Sequence, residues 1–520
     1  MEENCNSKNR KSNFIRCIAV TVMALLYQIF SISVEDNIFT KSPETDMRVY
    51  IACRICSFVV TWVAIYTAFG GMNHKESSLI WNIIKISLPF AIVVIISILQ
   101  KRTGSIYIGD EVSIYYGAIG IPDTSNGWLY YLTPWFYIIS IMLVPCSMGP
   151  IIVKGVVQCL VVGYIMLRTS QYFKSKVYEK SHGFFGVGSF MILPFLLLPV
   201  YDHISIVHRL PTYVYFWVLL VSILLFDKLE DVKSISAHKL MAITLLCAVV
   251  TQWRVEGIYW LVLGPVLMFL TYKTVTVRGK VLELRSPKKV VAFLGLFFII
   301  QYIVQIPQYG VFVKAKDPGV ADSRMLPFYA HVITNMYLYD INWEENAYDF
   351  SLIDEYMPLE SIERAGEMYG DLNLADTMIL FVDWGLRHDA SPEAQRHFYE
   401  AAKRIIINNP VSFARTRIRT FNYTAVPKEG TIMKKVQYNL YIPFAIVTVF
   451  LLFSFFKRRW FSFFAMGGAL ANGFIVFVLS PAAYFKYYFP VYLIAYLYLF
   501  FMVVGLFYNA ESGEKKEIIA

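Results

Sequence analysis

The sequence predicts an all-α polytopic membrane protein of about twelve transmembrane helices with one mainly helical domain outside the bilayer, and three observations carry that prediction. Only 16% of the 520 residues are charged and 57% are hydrophobic, against about 25% charged in ordinary soluble chains. Apolar runs long enough to cross hydrocarbon recur along nearly the whole chain, where only helices or closed barrels satisfy the backbone. The runs are continuous rather than alternating, which selects helices. The formal net charge of +9 sits between the apolar runs, so it reads as membrane orientation and implies no nucleic-acid partner.

In chain order the spans are expected at 14–34, 49–70, 79–99, 151–167, 184–200, 213–226, 240–253, 258–272, 290–306, 436–456, 460–479 and 489–508. The first follows a basic tail with Lys8, Arg10 and Lys11, and no small-residue cleavage pattern comes after it, so it reads as a retained span. With both termini cytoplasmic, Lys and Arg concentrate in the inner loops and are sparse in the short outer ones, as orientation requires. The run 240–272 must then turn back at 254–257, because a single helix there would put either Lys228, Lys233 and Lys239 or Arg278, Lys280 and Arg285 outside.

Four regions follow from this reading: an N-terminal helix pair at 1–78, a core at 79–310, an outer domain at 311–435, and three closing spans with a tail at 436–520. The outer segment 100–150 is expected to lie along the membrane surface as amphipathic helices. The outer domain holds 18 acidic and 14 basic residues. In it Ser391-Pro392 is a helix start, and Phe398, Ala402 and Ile405 follow at helical spacing up to Asn408-Asn409-Pro410. Seven scattered cysteines, mostly within apolar runs, read as small core residues; Cys53 and Cys56 form a lone CxxC on one helix face.

The unusual polar residues cluster on the predicted outer face. Asp110 and Glu111 follow the third span and precede Tyr115 and Tyr116; a carboxylate there is either a general base toward a hydroxyl or a solvated loop acid. Asp202, His203, His208 and Arg209 share one short loop and are either plain interfacial loop residues or a group that binds an anion or a metal, though His203 and His208 lack the i, i+4 spacing of a helical metal pair. Arg254 and Glu256 at the 254–257 turn either neutralise each other or leave Arg254 to face a phosphate. Lys486 stands in an outer loop against the charge trend and either meets an anion or snorkels to headgroups. Arg415, Arg417 and Arg419 either meet lipid phosphates or cover the acids of the outer domain. The in-span charges Arg54, Lys85 and Lys154 are all basic. No Gly-rich phosphate loop, nucleophile elbow, HExxH or dinucleotide fingerprint is present, so cytosolic nucleotide chemistry has no support and no cofactor is indicated.

Three motifs in order resemble the C superfamily of integral-membrane glycosyltransferases, relatives of the protein mannosyltransferases and of the aminoarabinose transferase for lipid A. They are Gly109-Asp110-Glu111 with Tyr115, Tyr116 and the Thr133-Pro134-Trp135-Phe136-Tyr137 stretch; Trp253-Arg254-Val255-Glu256-Gly257; and Tyr484-Phe485-Lys486-Tyr487-Tyr488-Phe489-Pro490. The chain departs from that pattern in its two extra leading spans, in Thr133-Pro134-Trp135 where His-Pro-Pro is common, and in Lys486 where Arg is commoner. The resemblance implies transfer of a sugar from a polyprenyl-phosphate donor to a glycan, lipid or protein acceptor outside the cytoplasmic membrane. It implies Asp110, or Glu111, as base and Arg254, Lys486 and Arg209 as phosphate holders, with Asp202, His203, Glu256 and Tyr115 as secondary or acceptor-side groups. A divalent metal can assist such a transfer, and the sequence specifies none. Two alternatives remain open: a polymerase or ligase of lipid-linked glycans, and a transporter or flippase, which would show intramembrane charges or paired broken helices.

Overall fold

The computed structural model describes residues 2–35, 37–39, 46–73, 79–101, 107, 109–120, 130–173, 186–207, 209–284, 286–308, 325–369, 385–387, 389–427 and 430–512. The chain is predominantly helical and polytopic. Among the described residues nine helices are long and apolar enough to cross a membrane, by length and composition. Each coincides with a predicted span.

The other three predicted spans are shorter or broken. Within 184–200 the described chain forms a 3-10 turn, Val187–Ile192, and two single turns, Leu193–Leu196 and Leu198–Tyr201. Pro194 and Pro199 remove the N–H groups that a continuous helix would need. The run 240–272 divides into a 17-residue helix, Ala237–Trp253, and a 12-residue helix, Trp260–Thr271, separated by a 3-10 turn at Val255–Tyr259.

The chain forms two compact units, one comprising Met1–Val255, Gly264–Gln305 and Leu497–Ala520, the other Glu256–Leu263 and Ile306–Tyr496. The first contains α1 (Glu2–Glu35), α2 (Met47–Asn73), α3 (Leu79–Lys101), α4 (Asp110–Gly120), α5 (Leu132–Leu143), α6 (Gly149–Phe173), α7 (Arg209–Leu229) and α8 (Ala237–Trp253). Helices α6 and α7 are its most buried spans, while α1, α2 and α3 leave most of their apolar surface outward for lipid. Without a hydrophobic drive between helices in lipid, close packing depends on small residues. A Cβ on Gly163 of α6 would lie 2.7 Å from the Ile83 carbonyl oxygen and 2.8 Å from Ser87 Cβ of α3, so only glycine admits this approach.

Helix α5 departs from expectation. It is not an amphipathic surface helix: Thr133, Pro134, Tyr137, Ile138, Ser140, Ile141 and Met142 are all buried, and α1, α2, α4, α6 and α8 pack around it. Its last carbonyls, which no intrahelical donor reaches, are met from α1: Ser31 Oγ donates to Met142 O at 2.7 Å, and Tyr27 donates to Leu143 O.

A small sheet, which the sequence reading did not foresee, joins the two loops flanking the short helix pair. Strand β1 (Ser234–Ser236) runs parallel to β2 (Thr274–Val277), which pairs antiparallel with β3 (Lys280–Glu283). Since β1 leads directly into α8 and β2 directly follows Trp260–Thr271, their pairing brings the start of one helix beside the end of the other. That is the geometry of a hairpin.

In the second unit, α9 (Leu326–Tyr339), α10 (Ala347–Asp354), α11 (Leu359–Tyr369) and α12 (Pro392–Asn408) enclose a core that includes Ile333, Met336, Phe350, Phe398, Ala402 and Ile405. Ser391 caps α12, accepting from Ala394 N at 3.1 Å, with Pro392 in the first turn. Helix α13 (Pro410–Ala425) follows directly, and α14 (Trp460–Leu479) is one of this unit's spans.

Candidate functional site

The acidic pair stands where the chain turns into α4. Gly109 adopts φ +58° with open space around it, so glycine is needed there for backbone conformation rather than for room. Asp110 begins the helix and its side chain lies outside the described residues. Glu111 is 1% exposed and accepts a hydrogen bond from the backbone N–H of Val207. One turn later Tyr115 stacks on Tyr107, with centroids 4.4 Å apart and planes 20° from parallel. Tyr107 donates to the Ser147 carbonyl and lies 6.2 Å from Tyr137 of α5. Burial raises the Tyr107 phenol well above its ordinary range, and neighbouring Tyr115 and Glu111 reinforce the shift. This phenol is a hydrogen-bond donor and not a base.

The loop between Leu198–Tyr201 and α7 carries the second group. Asp202 is exposed and His203 half-buried. His203 Nδ1 lies 2.6 Å from the Pro199 carbonyl oxygen; a carbonyl only accepts, so Nδ1 carries a proton. Arg209 begins α7, with its side chain outside the described residues, as His208 is entirely. Below the loop, Lys154 of α6 donates to the carbonyls of His203 (2.8 Å), Ile204 (2.8 Å) and Ile206 (2.5 Å). The sequence singled out Lys154 only as a charge bearing on transport. Its partners are contributed by a loop more than 45 residues away, so spacing could not reveal them.

Arg254 caps the C-terminal end of α8 in an extended conformation and is 5% exposed. Its neighbour Trp253 packs edge-on to Phe136 of α5 (5.7 Å) and against Phe216 of α7 (5.2 Å). Helix α5 thus touches two of the three motif regions: α4 through Tyr137 and Tyr107, and the Arg254 turn through Phe136 and Trp253.

The remaining candidates belong to the second unit. Glu256 is half-buried in the 3-10 turn after Arg254. Lys486 lies over the rings of Tyr484 (5.0 Å) and Tyr487 (5.7 Å), an aromatic setting that suits a cation. The three alternating arginines divide: Arg419 pairs with Asp340 at 2.5 Å, covering an acid of the outer domain, and Arg417 is 1% exposed and holds the end of α14.

One sequence expectation needs correction. The in-span charges are not all basic, because the first long apolar helix runs to Glu35, which is wholly buried and paired with Arg54 of α2. Tyr50 also donates to Glu35 at 2.6 Å, and Arg54 donates to Gln28 (2.9 Å) and Ser31 (3.2 Å). Lys85, by contrast, is exposed on α3.

Among the described residues no three His, Cys, Asp or Glu side chains gather as a metal site. No protein-family model, curated protein or solved structure matches this chain.

Proposed function

We propose that the protein is a membrane glycosyltransferase that moves a sugar from a polyprenyl-phosphate donor onto a cell-surface glycan, lipid or protein acceptor at the outer face of the cell membrane. The observation that carries the reading is the grouping about α5 of the Asp110-Glu111 helix and the Trp253-Arg254 turn, with the Asp202–Arg209 loop bonded to Glu111. These are the acid and the cations that such a transfer requires. The sheet that closes the 240–272 hairpin supports a topology of about twelve spans with both termini cytoplasmic, since loops 230–236 and 272–286 share one face and together carry Lys233, Lys273, Arg278, Lys280 and Arg285, and Lys and Arg favour the inner side.

In this reading Asp110 is the base. Glu111 is committed to the Val207 N–H inside the protein, out of reach of an acceptor hydroxyl, and a base must lie within hydrogen-bond distance of the proton it takes. The acceptor oxygen attacks the anomeric carbon and its proton passes to Asp110. The bond from that carbon to the phosphate oxygen breaks, and its electron pair leaves with the lipid phosphate. Arg254 and Arg209 supply positive charge for that phosphate. A single displacement inverts the anomeric centre.

The test is turnover by purified protein in lipid with a panel of polyprenyl-phosphate sugars, following release of the free lipid phosphate. The Asp110→Asn, Glu111→Gln double variant should lose about 10²–10⁴-fold, the usual contribution of a general base, and Asp110→Asn alone should account for the loss in kcat. Unchanged turnover in the double variant overturns the site. No release from any donor, alongside saturable movement of a labelled solute or lipid across the bilayer, replaces the reading with transport.

A further inference from the structure

The carbonyl of Ile206 and the N–H of Val207 belong to one peptide group. Lys154 donates to that carbonyl at 2.5 Å, and Glu111 accepts from that N–H. A cation on the oxygen and an anion on the nitrogen polarise the same plane in the same sense, so each bond strengthens the other. Both side chains are 1% exposed, a location where an ionised group is costly unless it is well matched.

The match at Lys154 is complete. An ammonium has three protons, and three loop carbonyls receive them, those of His203, Ile204 and Ile206. Gln158, one turn along α6, joins the set when its amide oxygen faces Lys154 (3.2 Å) and its nitrogen faces the Ile204 carbonyl (3.2 Å). Thr212 of α7 donates to the next carbonyl, Val207 O, at 3.2 Å. The segment 203–207 is therefore held by side chains from α4, α6 and α7.

We propose that Lys154 and Glu111 form an ion pair relayed through the Ile206–Val207 peptide, and that this relay is a positioning device fixing the loop that carries Asp202, His203 and Arg209 against the helix that begins at Asp110. The kinetic consequence rests on the transferase reading; the relay itself does not. Lys154 and Glu111 are positioning residues. The sequence displayed them as two unrelated charges, one within a span and one in an outer loop.

Hydrogen exchange by mass spectrometry on the full protein in lipid, over peptides covering 202–208, tests the relay directly. Lys154→Met should raise exchange there at least about tenfold with α7 beyond Thr212 unchanged. Glu111→Leu should do the same from the accepting side, and it remains informative if Lys154→Met does not fold. Because one peptide serves both, the double variant should exchange no faster than about the faster single. Unchanged exchange in either single variant, or multiplied effects in the double, overturns the relay. In turnover, Lys154→Met should raise the donor KM about tenfold with kcat little changed, whereas Asp110→Asn should lower kcat. A relay confirmed by exchange with an unaltered donor KM overturns its role in positioning the donor. Absence of turnover in the unaltered protein overturns the transferase reading and leaves the exchange measurement to decide the relay.

Discussion

In the N-terminal helix pair Arg54 meets a carboxylate, whereas in the second unit Arg417 meets carbonyl oxygens. Arg54 pairs with Glu35 and is further bound by Gln28 and Ser31. Arg417 donates to Phe477 O (2.7 Å), to Ser480 O (3.0 Å) and Oγ (2.6 Å), and faces His331 Nδ1 at 3.4 Å; no carboxylate pairs with it among the described residues. The carbonyls are those that end α14, where the aligned peptide dipoles leave partial negative charge. A discrete anion cancels a charge outright but becomes a liability when either partner is lost. A helix end offers weaker compensation that no single side chain can remove. Burial accordingly pulls the Arg417 guanidinium down to about 10, still high enough to keep it charged at neutral pH.

The largest expected effect comes from breaking the first arrangement. Glu35→Gln leaves the half-buried Arg54 beside neutral groups and should cost up to about 3–5 kcal/mol, read as thermal unfolding in lipid. Adding Arg54→Met should recover most of that loss, since a buried pair replaced by apolar groups is often neutral. Failure to recover would show that the Arg54 bonds to Gln28 and Ser31 matter more than its charge. Next, Arg417→Met leaves the Phe477 and Ser480 carbonyls without their donor and should cost about 2–3 kcal/mol. No second-site acid removal should rescue it. A larger loss than that of Glu35→Gln would reverse the comparison.

The smallest effect is a pH dependence confined to the second unit. His331 is wholly buried; desolvation holds its imidazole well below the usual value, and the Arg417 charge adds to the shift. Arg417 donates to Nδ1 only when the ring is neutral. The unfolded chain binds a proton near pH 6.5 that the folded chain refuses. Stability is therefore full above that pH and should fall by up to about 1.4 kcal/mol per unit below it. His331→Phe should flatten the slope between pH 6.5 and 5; an unchanged slope would assign it to other groups.

These sites also mark how far the sequence could be read. The nine long spans were legible because an apolar run of 20 residues has one low-energy form in hydrocarbon. The Ser391 cap and the 254–257 break were legible because each depends on neighbouring residues. The break at Pro194 and Pro199 was missed because hydrophobicity alone continued through it. The small sheet was missed because its strands are three or four residues long. Asp110 and Glu111 could be named as a pair, but nothing in the order of residues showed that Glu111 holds the Val207 N–H.

The sequence by itself determined that this chain is a helical membrane protein, and it located the runs that span, the domain that is charged, and the loops where acids and cations gather. Such properties are sums over local composition. The tertiary structure alone decided that α5 is interior, that Glu35 answers Arg54, that Arg417 closes a helix end, and that Lys154 and Glu111 take opposite sides of one peptide. Each of those depends on groups 19 to 116 residues apart meeting within hydrogen-bond distance, and buried polar and charged groups permit no looser solution.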